Sequence, residues 1–70
     1  MKIEAGIIGM GIGQKHLDAI DNYKDSVVTI ICEKDPKKIK NLKKRYPDKL
    51  VTNNEEHIFF NKKINIVSIA

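Results

Sequence analysis

The chain has 70 residues, 31% of them charged and 41% hydrophobic, with a formal net charge of +4; this is a globular composition, too short for two catalytic domains. Its one cysteine, Cys32, excludes an internal disulfide framework and cannot furnish a four-ligand zinc site. No apolar run is long enough to span a membrane, and the run after Met1 is broken by Glu4 and by glycines, unlike a signal-peptide core, so a cytoplasmic setting is expected.

Ile3 to Gly9 is a short apolar run interrupted only by Glu4, the pattern of a parallel strand covered on both faces. It ends in glycines. From Gly13 the period turns helical, with Leu17 and Ile20 on one face and Asp18, Asp21 and Asn22 elsewhere, and the helix is expected to end near Tyr23. Val27 to Cys32, β-branched in its first five residues, reads as the second strand. Asp35 is placed to cap a second helix with Pro36 at its first position, an apolar stripe of Ile39, Leu42 and Tyr46, and Pro47 as its stop.

Leu50 and Val51 form a third, short strand candidate. Thr52-Asn53-Asn54-Glu55 has the spacing of a capping box and predicts a helix through His57, Ile58, Phe59 and Phe60, followed by a turn at Asn61-Lys62-Lys63. Ile64 to Ala70 is the last strand. The β-α-β-α-β-α-β order predicts an α/β fold, a parallel four-stranded sheet with right-handed crossovers.

The basicity is concentrated. Residues 34 to 49 carry a net +6 and the rest of the chain −2. The simplest reading of the lysine-rich helix is a solvated face opposite Ile39, Leu42 and Tyr46. A single Arg among thirteen basic residues, with no aromatic stacking surface beside the lysines, argues against specific nucleic-acid recognition.

The chemistry gathers in Gly9-Met10-Gly11-Ile12-Gly13-Gln14-Lys15-His16, between the first strand and the first helix. Glycines at such a junction let backbone approach an anion while the helix's unpaired N–H groups and positive dipole end face it, which suits a diphosphate. Dinucleotide folds also place an acid at the end of the second strand, about 20 residues on, for the ribose hydroxyls; Glu33 stands 22 residues after Gly11. The spacing departs from G-x-G-x-x-G, because the third glycine falls one residue early at Gly13 and Gln14 occupies its usual place. The shorter spacing also occurs in S-adenosylmethionine-dependent methyltransferases, which usually carry an acid two residues before the first glycine. Here that residue is Ile7.

Taken together, the opening strand running into Gly9 to Leu17, the Ile31-Cys32-Glu33-Lys34-Asp35-Pro36 turn, Tyr46-Pro47, Asn54-Glu55-Glu56 and the closing Ile64 to Ala70 resemble the Gfo/Idh/MocA oxidoreductases. The resemblance covers nearly the whole chain. It implies an NAD(P)-binding Rossmann domain, of which residues 1–70 would be the N-terminal part, with strand order 3-2-1-4. Gly9, Met10, Gly11, Ile12 and Gly13 would line the diphosphate, Glu33 would hold the adenosine ribose, and Ile69 and Ala70 would lie beside the cofactor. The acid at Glu33 favours NAD, and neighbouring Lys34 leaves NADP open.

The resemblance also implies that the family's Thr-Pro turn, its proton-transferring lysine motif and its substrate domain fall after residue 70. No catalytic residue is therefore assigned, and this chain is expected to be inactive by itself. His16 is expected to serve packing or the helix start, His57 to be superficial, and Cys32 to be a small core residue; no metal cluster is suggested. The last strand is expected to be an apolar edge that invites self-association. Three readings stay open: the cofactor-binding part of an oxidoreductase, a noncatalytic nucleotide-binding or interaction module, and a methyltransferase-like fragment.

Overall fold

The computed structural model describes residues 3–11 and 13–69. Four strands, β1 (Ile3–Ile8), β2 (Ser26–Cys32), β3 (Leu50–Thr52) and β4 (Ile64–Ile69), alternate with three helices, α1 (Gly13–Asn22), α2 (Pro36–Arg45) and α3 (Glu56–Phe59). All strand pairs are parallel and the order across the sheet is β3-β2-β1-β4, as expected. The chain starts in the middle of the sheet, moves out to β3 and returns past β1 to β4, so the sheet reverses direction between β1 and β4.

The two faces of the sheet are covered unequally. Leu17 of α1 and Leu42 of α2 bury against Ala5, Ile7, Val28, Ile31 and Val51, with Ile20, Ile39 and Tyr46 packed at the margin. On the opposite face the one-turn helix α3 supplies Ile58, which meets Ile30 and Cys32, flanked by Ile8, Ile64 and Val67. Ile58 sits directly over Gly6: a Cβ there would lie 2.7 Å from Ile58 Cγ2. Gly6 thus makes room for the only large side chain that α3 buries.

Two bulges adjust the register. Thr29 is skipped where Ala5 pairs with Val28 and Gly6 with Ile30, and Asn65 is skipped where Glu4 pairs with Ile64 and Ala5 with Ile66. Asn65 turns its side chain to account, its Oδ1 accepting from Glu4 N at 3.1 Å. The Thr29 hydroxyl is buried and finds no partner among the described residues. At the N-terminal end of the sheet, Lys49 Nζ pairs with Asp21 Oδ2 at 2.9 Å and donates to the Val28 carbonyl, while Asp21 Oδ1 accepts from Val28 N at 2.8 Å. Lys49 therefore belongs to an internal tie between α1, β2 and the α2–β3 loop, not to the solvated lysine face.

The helix starts divide. Asp35 caps α2, its side chain accepting from Lys37 N at 2.9 Å with Pro36 as first residue, as the sequence predicts. The capping box does not form. Thr52 is the last residue of β3, its hydroxyl accepts from Asn54 N at 3.1 Å, and Asn54 Oδ1 accepts from Glu56 N at 3.0 Å. Two short side-chain turns replace the box, and α3 is correspondingly cut to four residues ending at Phe59.

Gly6→Ala should cost about 1–3 kcal/mol, through the clash with Ile58. The Gly6→Ala/Ile58→Ala pair should lose less than the two single variants summed, as read from urea unfolding curves. Thr29→Val, which replaces an unpaired buried hydroxyl by a methyl, should raise stability by about 1 kcal/mol in the same measurement.

Candidate dinucleotide site

The glycine segment runs from the end of β1 to the first residue of α1. Gly9 has φ 86°, in the region where a side chain is strained, and its N–H donates to the Cys32 carbonyl at 2.9 Å. Met10 is buried beneath the turn and Gly13 is buried where it opens α1. Gly11 is different. It is exposed, its φ is not left-handed, and a Cβ there would meet nothing within 4 Å among the described residues. Ile12 and Ala70, two of the expected contact residues, lie outside the described residues.

Glu33 follows β2 and reaches back to this turn. Its Oε1 accepts from Met10 N at 3.1 Å, and its Oε2 accepts from Lys34 N at 2.9 Å and Asp35 N at 3.0 Å. Its own N–H donates to the Thr52 carbonyl at 2.9 Å. One residue thereby joins the glycine turn, β3 and the entry to α2. The Asp35 N–H above all, then those of Met10 and Lys34, with Lys38 nearby, outweigh partial burial and hold the carboxyl below the usual glutamate range.

Around this knot Gly9, Met10, Gly11, Gly13 and Ile69 lie toward the C-terminal ends of the strands. Ile69 pairs with Ile8 at the end of β4 and is 71% exposed, on the far side of the turn from Glu33. Gln14, standing where a longer glycine motif has its third glycine, turns toward α2: its Nε2 donates to the Tyr46 hydroxyl at 2.9 Å and to Asp18 Oδ1 at 3.0 Å. Arg45 stacks over the Tyr46 ring at 5.2 Å. A cleft of about 170 Å³ between the turn and α2 is lined by Met10, Gln14, Lys38, Asn41, Leu42 and Arg45.

The two histidines are both engaged through Nδ1, His16 with the Ser68 hydroxyl and His57 with the Thr52 hydroxyl. Sequence reasoning missed these partners, together with Tyr46 and the structural duty of Glu33. Cys32 is buried, and desolvation first, then the field of Glu55, pushes its thiol up, so it is a packing residue with little thiolate. Among the described residues no three His, Cys, Asp or Glu side chains gather to hold a metal, and no helix is long and apolar enough to cross a membrane.

No protein-family model and no curated protein matches this sequence. Solved structures do match the fold. An oxidoreductase from Agrobacterium radiobacter, in complex with NAD+, L-tartaric acid and magnesium, aligns over 100% of this chain with a TM-score of 0.81 at 21% identity, covering 21% of that protein. An NAD-binding protein from Listeria innocua aligns over 100% of this chain with a TM-score of 0.85 at 18% identity, covering 20% of that protein. A 3-ketoreductase from Actinomadura kijaniata, in complex with TDP-benzene and NADP, aligns over 99% of this chain with a TM-score of 0.74 at 20% identity, covering 22% of that protein. The chain therefore spans about a fifth of the length of each, and the likeness is one of fold.

Glu33→Gln should lower stability at pH 7 by about 1–2 kcal/mol, because the amide offers one accepting oxygen where the carboxylate offers two. A carboxyl with a depressed folded pKa contributes stability that is complete above its unfolded pKa and is lost as pH falls through the folded value. The gap between wild type and Glu33→Gln should therefore narrow as denaturation is repeated from pH 7 down to pH 3. The Cys32 thiol should react with a thiol reagent in folded protein far more slowly than in denaturant.

Proposed function

We propose that the chain is the dinucleotide-binding part of an NAD(P)-dependent oxidoreductase of the Gfo/Idh/MocA type, residues 1–70 forming the N-terminal part of its Rossmann domain. Gly11 is the observation that carries this reading. Gly9 has its turn and Gly6 has Ile58, but nothing among the described residues requires a glycine at Gly11. An exposed bare backbone at the mouth of a ten-residue helix, between β1 and the helix start, suits close approach by a ligand's diphosphate.

The remaining residues fit such a group. Gly9, Met10, Gly11, Ile12 and Gly13 would line the diphosphate, and Ile69 and Ala70 the side toward β4. Three backbone donors occupy the Glu33 carboxylate, and two carboxylate oxygens can accept about four. A ribose hydroxyl can therefore be added without dismantling the knot. Glu33 favours the free 2′-hydroxyl of NAD, while Lys34, exposed beside it, and Lys38 offer charge to a 2′-phosphate. A bound nicotinamide dinucleotide supplies the hydride chemistry; these residues bind and orient it. The sugar, polyol or related carbonyl substrate would be handled outside this set of residues, in a reducing cytoplasm.

A noncatalytic nucleotide-binding module would use the same contacts. The methyltransferase alternative is weaker, because it calls for an acid at Ile7, which is fully buried among Leu17, Val28 and Ile31.

Gly11→Val separates a ligand role from a structural one. Its thermal unfolding should match wild type, while NAD affinity measured by calorimetric titration should fall at least about tenfold. Unchanged affinity would remove the glycine turn from the site. Glu33→Ala should weaken NAD more than NADP; equal loss of both would take Glu33 off the ribose.

A further inference from the structure

α1 and β4 form the two walls of the crevice where the sheet reverses direction, and they are held together differently along their length. Toward the N-terminal end of the sheet they do not close. A groove of about 340 Å³ separates Ala19 and Ile20 of α1, with Tyr23 just past its end, from Ile66 of β4, leaving Ile66 50% and Tyr23 73% exposed. Toward the crevice, His16, fourth residue of α1, meets the hydroxyl of Ser68 through Nδ1. Among the described residues this is the one side-chain hydrogen bond between α1 and β4, and it joins positions 52 apart in sequence. Ser68 pairs with Ile7 in the sheet, one residue before Ile69 meets Ile8 at the strand end.

Apolar packing therefore leaves the α1–β4 spacing loose below, while a half-buried polar pair fixes it at the mouth. Among the described residues β4 pairs with β1 alone, and the His16–Ser68 contact adds a direct side-chain tie to α1 beside that pairing. We propose that His16 and Ser68 are positioning residues, a latch that sets the width of the crevice wall on the side of the glycine turn remote from Glu33. This rests on the dinucleotide reading above. In that reading the adenosine half lies toward Glu33 and the nicotinamide riboside half toward β4. The latch then governs the second half of the ligand and leaves the first untouched.

The test compares NAD with ADP, which lacks the nicotinamide riboside, by titration calorimetry on the 70-residue chain. Wild type should bind both. Ser68→Ala should weaken NAD about tenfold, the scale expected for one partly buried hydrogen bond and the ordering it provides, while ADP affinity stays within about twofold. His16→Ala should do the same, and His16→Asn, which keeps an amide near the place of Nδ1, should recover part of the loss. In the Ser68→Ala/His16→Ala double variant the NAD deficit should be close to that of either single change. Equal weakening of NAD and ADP would mean that the pair only supports the fold, and unchanged NAD affinity would mean that it positions nothing; either result overturns the latch while the dinucleotide reading survives. Failure of wild-type protein, shown folded by circular dichroism, to bind either nucleotide would overturn the dinucleotide reading and the latch with it.

Discussion

The C-terminal end of the sheet is organised by one carboxylate. Backbone N–H groups at the glycine turn and at the start of α2 have no strand partner, because β1 has ended and β2 is leaving the sheet, and an unpaired N–H there would carry a desolvation cost. Glu33 accepts from three of them, and its own N–H reaches the last carbonyl of β3. Charge-assisted bonds of this kind are stronger than neutral ones. They also fix where Met10 sits, which in turn presents Gly11 outward. The geometry of the candidate site is thus set by an intramolecular bond before any ligand is present, and binding would not have to order the turn.

The same end of the molecule draws on both faces of the sheet. Cys32 and Ile30 point toward α3 while Ile31 points toward α1 and α2, so the strand that delivers Glu33 is clamped from both sides. The α3 side is the thinner layer, four residues of helix and one fully buried isoleucine. It works because Gly6 lets Ile58 come close to the backbone of β1. Dispersion and burial both favour that close approach, since the alternative is an unfilled gap over the central strand. Phe59 and Phe60, 55% and 78% exposed, contribute little to it.

Much of this was legible in the sequence because it is written in short range. β-branched runs, the Asp35-Pro36 start, the Leu17 and Leu42 stripes and the alternation of periods are local, and together they give a parallel α/β sheet with right-handed crossovers, while the strand order rests on the family resemblance. The errors and omissions have a common origin in contacts between distant residues or in competition between nearby ones. Thr52-x-x-Glu55 has the spacing of a cap, yet Thr52 is needed as the last pairing residue of β3, opposite Cys32, so its hydroxyl serves a turn instead. Lys49 looks like one more lysine of a basic run, and only the fold brings Asp21 and the Val28 carbonyl to it. Gln14 with Tyr46 and His16 with Ser68 are pairs that no periodicity announces. Bulges at Thr29 and Asn65 leave no composition signal either, since both residues are unremarkable in or beside a strand.

The glycines show why motif spacing alone underdetermines a site. Within six residues, Gly6 is demanded by a neighbouring side chain, Gly9 by its own backbone angle and Gly11 by neither. A spacing rule treats such positions alike, whereas substitution would separate them: the first two have reasons within the fold, and the third has none among the described residues. The early third glycine fits the same distinction. Gly13 is buried at the helix start, and Gln14 fastens α1 to Tyr46, so the shorter spacing trades a bare helix face for a side-chain tie to α2. The departure from the longer motif thus alters how α1 is anchored, and it leaves the backbone at Gly11 exposed.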